Sequence, residues 1–323
     1  MNKKTSDSDI LPPKNQLQLF GYDDYFNEFI KLFHNKKLPN TILLSGLKGS
    51  GKATFAYHFI NYLLSINEKS KYSVNDFHID PDNKSYKNLC NLTHPNFFLL
   101  ENNEYEENIK IDSVKDILKF LNKSTYYSGI KIVLIDNAEY LNFNSSNALL
   151  KSLEEPSNNT FFFIVHNSAN KILDTIRSRC IQFKFFFNLS EKKNILKNII
   201  KQYKSDFNIE KIDNYIYFDT PGNILRLLKI LDNDKDVNDN DKLSSIFNLI
   251  NKYKKKKDPQ LLVFISSLIE SFYNDLSIKN NEKLNHYFYV KSKILKQINE
   301  VKKFNLDKNN LFISLLGILK NES

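Results

Sequence analysis

Apolar residues along the first half of the chain fall into two alternating rhythms. Phe26, Phe29, Ile30 and Phe33 sit three and four apart and predict a helix over 17–35. The apolar run 41–44 predicts a buried strand, and Phe55, Phe59, Leu63 and Ile66 mark a helix over 53–66. Residues 67–91 are polar and poorly patterned and read as a loop. Buried strands are then predicted at 97–100, 131–135 and 161–165. Between them lie helices at 111–122, opened by Asp112 and Ser113, and at 144–155, halted at Pro156. Residues 172–176 lead to Arg177. Strands alternating with helices imply a parallel sheet covered on both faces.

Past Phe187 the apolar spacing is helical throughout, at 190–203, 224–231, 243–253, 260–273, 283–298 and 308–319. The charged stretch 232–242 has almost no apolar content and reads as a linker. Boundaries therefore fall near 187 and 238, after a loose arm at 1–16. No window approaches the run of about 18 apolar residues that spans a bilayer. The polar stretch 1–13 is expected to be neither a secretory signal nor an anchor. The expectation is a soluble, cytoplasmic protein.

The chain has 46 Lys+Arg against 37 Asp+Glu, a formal net charge of +9. From 241 onward there are 15 lysines and 8 acidic residues, densest at Lys254–Lys257. A solvated helix end explains that run more simply than a contact with DNA. Two cysteines, Cys90 and Cys180, can form neither a disulfide framework nor a four-thiolate zinc site. Against this lysine-rich background two scarcities stand out. Only three arginines occur, Arg177, Arg179 and Arg226, and three of the seven glycines fall together at Gly46, Gly49 and Gly51.

Those glycines belong to Gly46-Leu47-Lys48-Gly49-Ser50-Gly51-Lys52-Ala53-Thr54, between a predicted strand and a predicted helix, which is the context of a phosphate-binding loop. Glycines let successive backbone N–H groups turn inward, and the helix N-terminus adds positive potential. Lys52 would reach the β- and γ-phosphates. The next position calls for a hydroxyl to hold Mg²⁺, and Ala53 has none; Thr54, about 100° further round the helix, cannot substitute. At the end of the strand 131–135, Asp136 suits the Mg²⁺ shell. The neighbouring place, where a carboxylate would activate water, holds Asn137, and Glu139 comes two residues later. The site reads as able to bind nucleotide and poorly equipped to hydrolyse it.

Arg177 and Arg179 share the stretch Thr175-Ile176-Arg177-Ser178-Arg179-Cys180. Arginine in a lysine-biased chain points to a need for the planar guanidinium fork. With the loop ending GSGKAT, His94-Pro95-Asn96-Phe97, the strand IVLIDNAE and the run NALLKSLEEP at 147–156, this stretch resembles the delta prime family of bacterial DNA polymerase III clamp-loader subunits, within the AAA+ superfamily. The motifs span roughly 17–187.

The resemblance implies an AAA+ P-loop α/β parallel-sheet domain at 17–187, a small helical lid at 188–238 and an all-α collar for oligomerisation at 239–323. It implies a nucleotide site at Gly46, Gly49, Ser50, Gly51, Lys52, Ala53, Thr54, Asp136 and Asn167, the last preferred over His166 as the polar residue ending the fourth strand. It allows ATP, with binding favoured over hydrolysis, and allows Mg²⁺. Zinc is not expected, because only Cys90 lies where some members carry a zinc module. Arg179 would be an arginine finger acting on ATP held by an adjacent motor subunit. The lid's sensor arginine usually follows a glycine by three positions; Gly222 leads to Leu225, and Arg226 is one further. The implied partners are gamma/tau and delta subunits in a hetero-pentamer and, through it, the sliding clamp and primed DNA. The chain would be a component of the polymerase holoenzyme, not its polymerising subunit. Two rivals stay open: a catalytic gamma/tau-type ATPase and a DNA-binding accessory module using the lysine-rich C-terminal region.

Overall fold

A computed structural model describes residues 10–102, 108–123, 129–203, 219–232, 242–304 and 306–320. The chain divides into two compact units, 1–205 and 206–323.

The first unit is built on five strands: β1 (Thr41–Gly46), β2 (Phe97–Leu100), β3 (Lys131–Ile135), β4 (Thr160–Asn167) and β5 (Ile181–Lys184). They form one sheet in the order β2-β3-β4-β1-β5, and every neighbouring pair is parallel. Side chains alternate across it with period two. Ile42, Leu44, Ile132, Leu134, Phe161, Phe163 and Val165 enter one core. Leu43, Val133, Ile135, Phe162 and Ile164 enter the other. The first core is closed by α1 (Asp23–His34) and α2 (Lys52–Ser65), the second by α4 (Ile111–Asn122), α5 (Phe143–Glu154) and α6 (Asp174–Arg177). Both faces are covered, as the alternation of strands and helices predicts.

Three departures from the sequence reading have local causes. The first helix starts at Asp23, not 17, because 17–19 is extended: Leu19 N–H donates to Phe77 O at 3.1 Å and Ile79 N–H to Leu17 O at 2.9 Å. Gly21, at φ +75°, then turns the chain into α1. A seven-residue helix, α3 (Lys84–Cys90), lies in the stretch read as loop. One face of α2 is polar there. His58, Asn61 and Ser65 are fully buried and bond the Tyr72 hydroxyl, Asn83 and the Tyr72 N–H respectively. The Glu68 carboxylate accepts from the Lys84 N–H, the Ser85 N–H and the Ser85 hydroxyl. This stretch is anchored by polar contacts that hydropathy does not register. The fifth strand, β5, was not anticipated; it is an edge strand of four residues, with Ile181 exposed.

Of the expected arm, residues 1–9 lie outside the described residues. Residues 10–16 are held: Pro13–Asn15 form a 3-10 turn, the Cys90 thiol donates to Lys14 O, and Gln16 Nε2 donates to Leu11 O and the Tyr203 hydroxyl. Tyr203 follows α7 (Leu189–Gln202), which opens on a capping box between Asn188 and Glu191 and belongs to the first unit.

In the second unit the described residues form α8 (Pro221–Asp232), α9 (Lys242–Lys256), α10 (Pro259–Lys279), α11 (Leu284–Phe304) and α12 (Lys308–Lys320). Buried Ile246, Leu249, Ile265, Leu268, Ile294, Phe312 and Leu315 line the helices that pack together. The expected linker falls largely on 233–241, outside the described residues. The lysine run closes α9, where basic side chains suit the negative end of a helix dipole. One reading is corrected. Leu261–Lys279 has the length and hydropathy of a membrane span, because Leu261, Leu262, Phe264, Ile265, Leu268 and Ile269 follow closely. Those six are buried within the unit, as a core helix requires.

Phe163, with no exposed surface at the centre of the sheet, is the clearest test of this packing. Phe163→Ala is expected to cost about 3–5 kcal/mol, read as an earlier urea transition of the first unit.

Candidate functional site

At the C-terminal edge of the sheet, β1 ends at Gly46 and the chain turns into α2 through a loop that glycine makes feasible. Gly51 sits at φ +90° immediately before α2, and a Cβ there would also stand 3.3 Å from the Tyr22 ring. At Gly46 the limit is close approach: a Cβ would lie 2.7 Å from Phe185 O, at the exit of β5. Beneath the loop, buried Tyr22 packs edge-on against Phe185 and Phe187 and beside Phe55, and its hydroxyl donates to Ser50 O at 2.7 Å. Ser50 Oγ and Lys52 Nζ both donate to Leu47 O, at 2.9 and 2.7 Å. Lys52 heads α2 and is 5% exposed, and its ammonium carries two donors besides the one on Leu47 O.

The structure brings most of the anticipated nucleotide-site residues to this edge. Gly46 pairs with Asn167 across β1 and β4, and the Ser168 N–H donates to Gly46 O. Asp136 follows β3, with its N–H on Leu100 O of β2. Asn137 takes a left-handed conformation, φ 57°, and donates its N–H to Asp136 Oδ1 at 2.9 Å. Glu139 lies on a 3-10 turn, Ala138–Tyr140, and its carboxylate accepts the Asn167 N–H at 3.1 Å. His166 is buried between Ser45 Oγ and Asn170 O. The Asn167 side chain accepts from the Ala169 N–H. Arg226 lies half-buried on α8 of the second unit.

Burial dominates the electrostatics. It lowers the Lys52 ammonium to about 8, opposed by the negative charges of Glu139 and Asp136. It raises the Asp136 carboxyl to about 6, against the stabilising Asn137 N–H. The loop backbone, the head of α2 and Lys52 fit a polyphosphate. The donor set for Mg²⁺ is incomplete, because Ala53 offers no side-chain oxygen and Asp136 is the carboxylate left at the strand end. Among the described residues no three His, Cys, Asp or Glu side chains gather around a common point.

Arg179 stands at the opposite edge. It precedes β5, and its carbonyl accepts the Thr41 hydroxyl, at the start of β1, at 2.7 Å. Its Nε donates to Glu154 Oε1 at 2.7 Å, and Nη2 reaches the same oxygen. Nη1 donates to Thr175 O and Ser178 Oγ at 2.8 and 3.2 Å. Glu154 ends α5, and Ser146 of that helix meets Thr175 at 3.3 Å. The NALLKSLEEP helix is thus the platform of the arginine stretch. Arg177 is exposed. Thr41 to Gly46 spans about 16 Å at roughly 3.3 Å per residue, beyond the reach of an arginine side chain. The P-loop and Arg179 of one chain cannot share a phosphate.

Sequence reasoning missed Tyr22, Glu139 as a partner of β4, and Glu154. The first follows a glycine and the last lies in a recognised run, but neither position announces its contact.

The first unit is by geometry a P-loop domain with a parallel sheet. The family model described as DNA polymerase III, delta subunit, matches residues 21–188, and the chain belongs to that family. The chain is 37% identical over 140 residues to a DNA polymerase III subunit delta' from Pseudomonas aeruginosa, covering 43% of this chain and 41% of that protein. It is 27% identical over 159 residues to the Escherichia coli K12 protein of the same name, covering 48% and 45%. The matched segments thus span less than half the length of these curated relatives. A solved Thermotoga maritima structure, a DNA polymerase III gamma subunit-related protein, aligns at 17% identity with a TM-score of 0.45, over 90% of this chain and 97% of that one. The chain is a delta prime-like member of the clamp-loader family.

Because Lys52 ionises near pH 8, anion binding should be proton-linked. A bound polyphosphate holds the proton, so affinity is full below about pH 8 and falls by up to about tenfold per pH unit above it. Titration calorimetry with tripolyphosphate between pH 7 and 9.5 checks this, and Lys52→Ala should bind weakly with no such slope.

Proposed function

We propose that this chain works as a clamp-loader subunit of the delta prime kind. It assembles with gamma/tau and delta subunits in a hetero-pentamer that loads the sliding clamp on primed DNA, and it supplies Arg179 to ATP bound by a neighbouring motor subunit. The observation that carries this reading is the placement of Arg179 at the sheet edge opposite its own P-loop, beside Thr41. An arginine there can serve only a phosphate brought by another chain. The guanidinium would stabilise charge on the transferring γ-phosphoryl. The chain's own loop retains the geometry of an anion cradle, while Ala53 and Asn137 withhold the hydroxyl and the carboxylate that Mg²⁺-dependent hydrolysis uses. ATP binding without efficient turnover follows.

In a reconstituted complex, Arg179→Ala should leave assembly intact and lower DNA-stimulated ATP turnover. At the interface it completes, the loss is on the order of 10³-fold, and the whole complex falls by that interface's share. Unchanged turnover by the assembled mutant complex rules the reading out. The isolated chain should bind ATP and release almost no phosphate with Mg²⁺ present; robust hydrolysis would favour a catalytic gamma-type subunit instead.

A further inference from the structure

The resting partners of Arg179 bear on when it can act. A guanidinium has five N–H donors, and its Nε/Nη2 edge presents the parallel pair that grips an oxyanion in bidentate fashion. Here that edge is taken: Nε and Nη2 both reach Glu154 Oε1. Nη1 is taken as well, by Thr175 O and Ser178 Oγ. One Nη2 hydrogen is left over, too few for a bidentate grip on a phosphoryl group.

The two sides of this arrangement are unequal. The Thr175 and Ser178 contacts come from the arginine's own turn and fix its root, and Thr41 fixes its backbone from β1. Glu154 comes from another element, the C-terminal end of α5, and its side chain is half exposed, against about a quarter for Arg179. A carboxylate at that depth is a ligand the guanidinium can leave.

We infer that Glu154 is a positioning residue that holds the Arg179 fork in a withdrawn state, so that a neighbour's phosphoryl group must displace the carboxylate before the arginine acts. This rests on the reading of Arg179 as a finger in trans. Phosphate and carboxylate compete for the same edge of one cation, and the exchange is favoured only when the neighbour presents a desolvated, more highly charged anion at the right distance. Turnover is thereby kept low until the interface closes. Glu155, next in sequence, is exposed, and the Nε and Nη2 contacts both fall on Glu154, so the restraint is assigned to Glu154.

The test uses complexes reconstituted with the full chain, carrying no substitution, Glu154→Gln, Glu154→Asp, Arg179→Ala, or Glu154→Gln with Arg179→Ala. ATP turnover is measured with and without primed DNA. Glutamine keeps the shape and removes the charge, so DNA-independent kcat should rise by about two- to fivefold, the range a partly exposed ion pair supports. KM for ATP should hold, and stimulation by DNA should shrink. Aspartate retains the charge and should restore most of the low basal rate. The double variant should match Arg179→Ala alone. If Arg179→Ala lowers turnover but Glu154→Gln leaves the basal rate unchanged or lowers it, the restraint is overturned while the finger stands. A basal rise that survives in the double variant also overturns it, since the effect would not run through Arg179. If Arg179→Ala itself changes nothing, the finger and the restraint fall together.

Discussion

Parallel pairing along β1 fixes where this domain can do chemistry. β1 lies between β4 and β5 and runs in the same direction as both, so the chain leaves all three strands at one edge and enters them at the other. Whatever follows a strand joins the exit edge: the P-loop after β1, Asp136 after β3, Asn167 at the close of β4. Whatever precedes one joins the entry edge, which is where Arg179 and the end of α5 meet. The length of β1 then separates an anion cradle from the cation suited to act on it. In the proposed role, each chain therefore carries two halves of different sites, and a neighbouring subunit supplies the complement.

The exit edge depends on a packed aromatic floor. Tyr22, Phe55, Phe185 and Phe187 contact one another at ring-centroid distances near 5 Å, so the loop rests on side chains with few rotamers to explore. Tyr22 adds a directed contact through its hydroxyl to Ser50 O. That floor is independent of the residues that would catalyse. In the proposed reading, Ala53 and Asn137 offer neither the hydroxyl nor the carboxylate that hydrolysis would use. The loop also joins β1 to α2 and buries Lys52, so it serves the fold whether or not phosphate is turned over.

How much of this could be read in the sequence follows from which signals are local. Central strands carry unbroken apolar runs, and β3 was bounded to the residue because burial on both faces leaves no alternative pattern; β2, at an edge of the sheet, was bounded as well because its four residues are all apolar. The P-loop was legible because three scarce glycines and a lysine fall in a required order. The edge strand β5 was not, since half its residues face solvent and Ile181 is exposed. Nor was α3, whose fixation comes from Glu68, Asn61 and Asn83 across the chain; hydropathy is blind to buried polar contacts. Likewise Arg179 could be singled out by its rarity, but Glu154, 25 residues earlier, could not be joined to it without coordinates.

The rarity of arginine in this chain has a structural counterpart. At position 179 the side chain satisfies a carboxylate, a backbone carbonyl and a hydroxyl at once, and the donors doing so diverge in one plane. A lysine ammonium has three donors on a single atom and no flat edge, so it could neutralise Glu154 but could not also tie down Thr175 and Ser178 in the same geometry. In this lysine-rich chain, arginine at 179 therefore answers two demands on the same guanidinium. One is the resting network on α5 and α6, and the other is the planar grip on a phosphoryl group that the proposed role requires. Arg177, exposed and outside that network, is under neither demand.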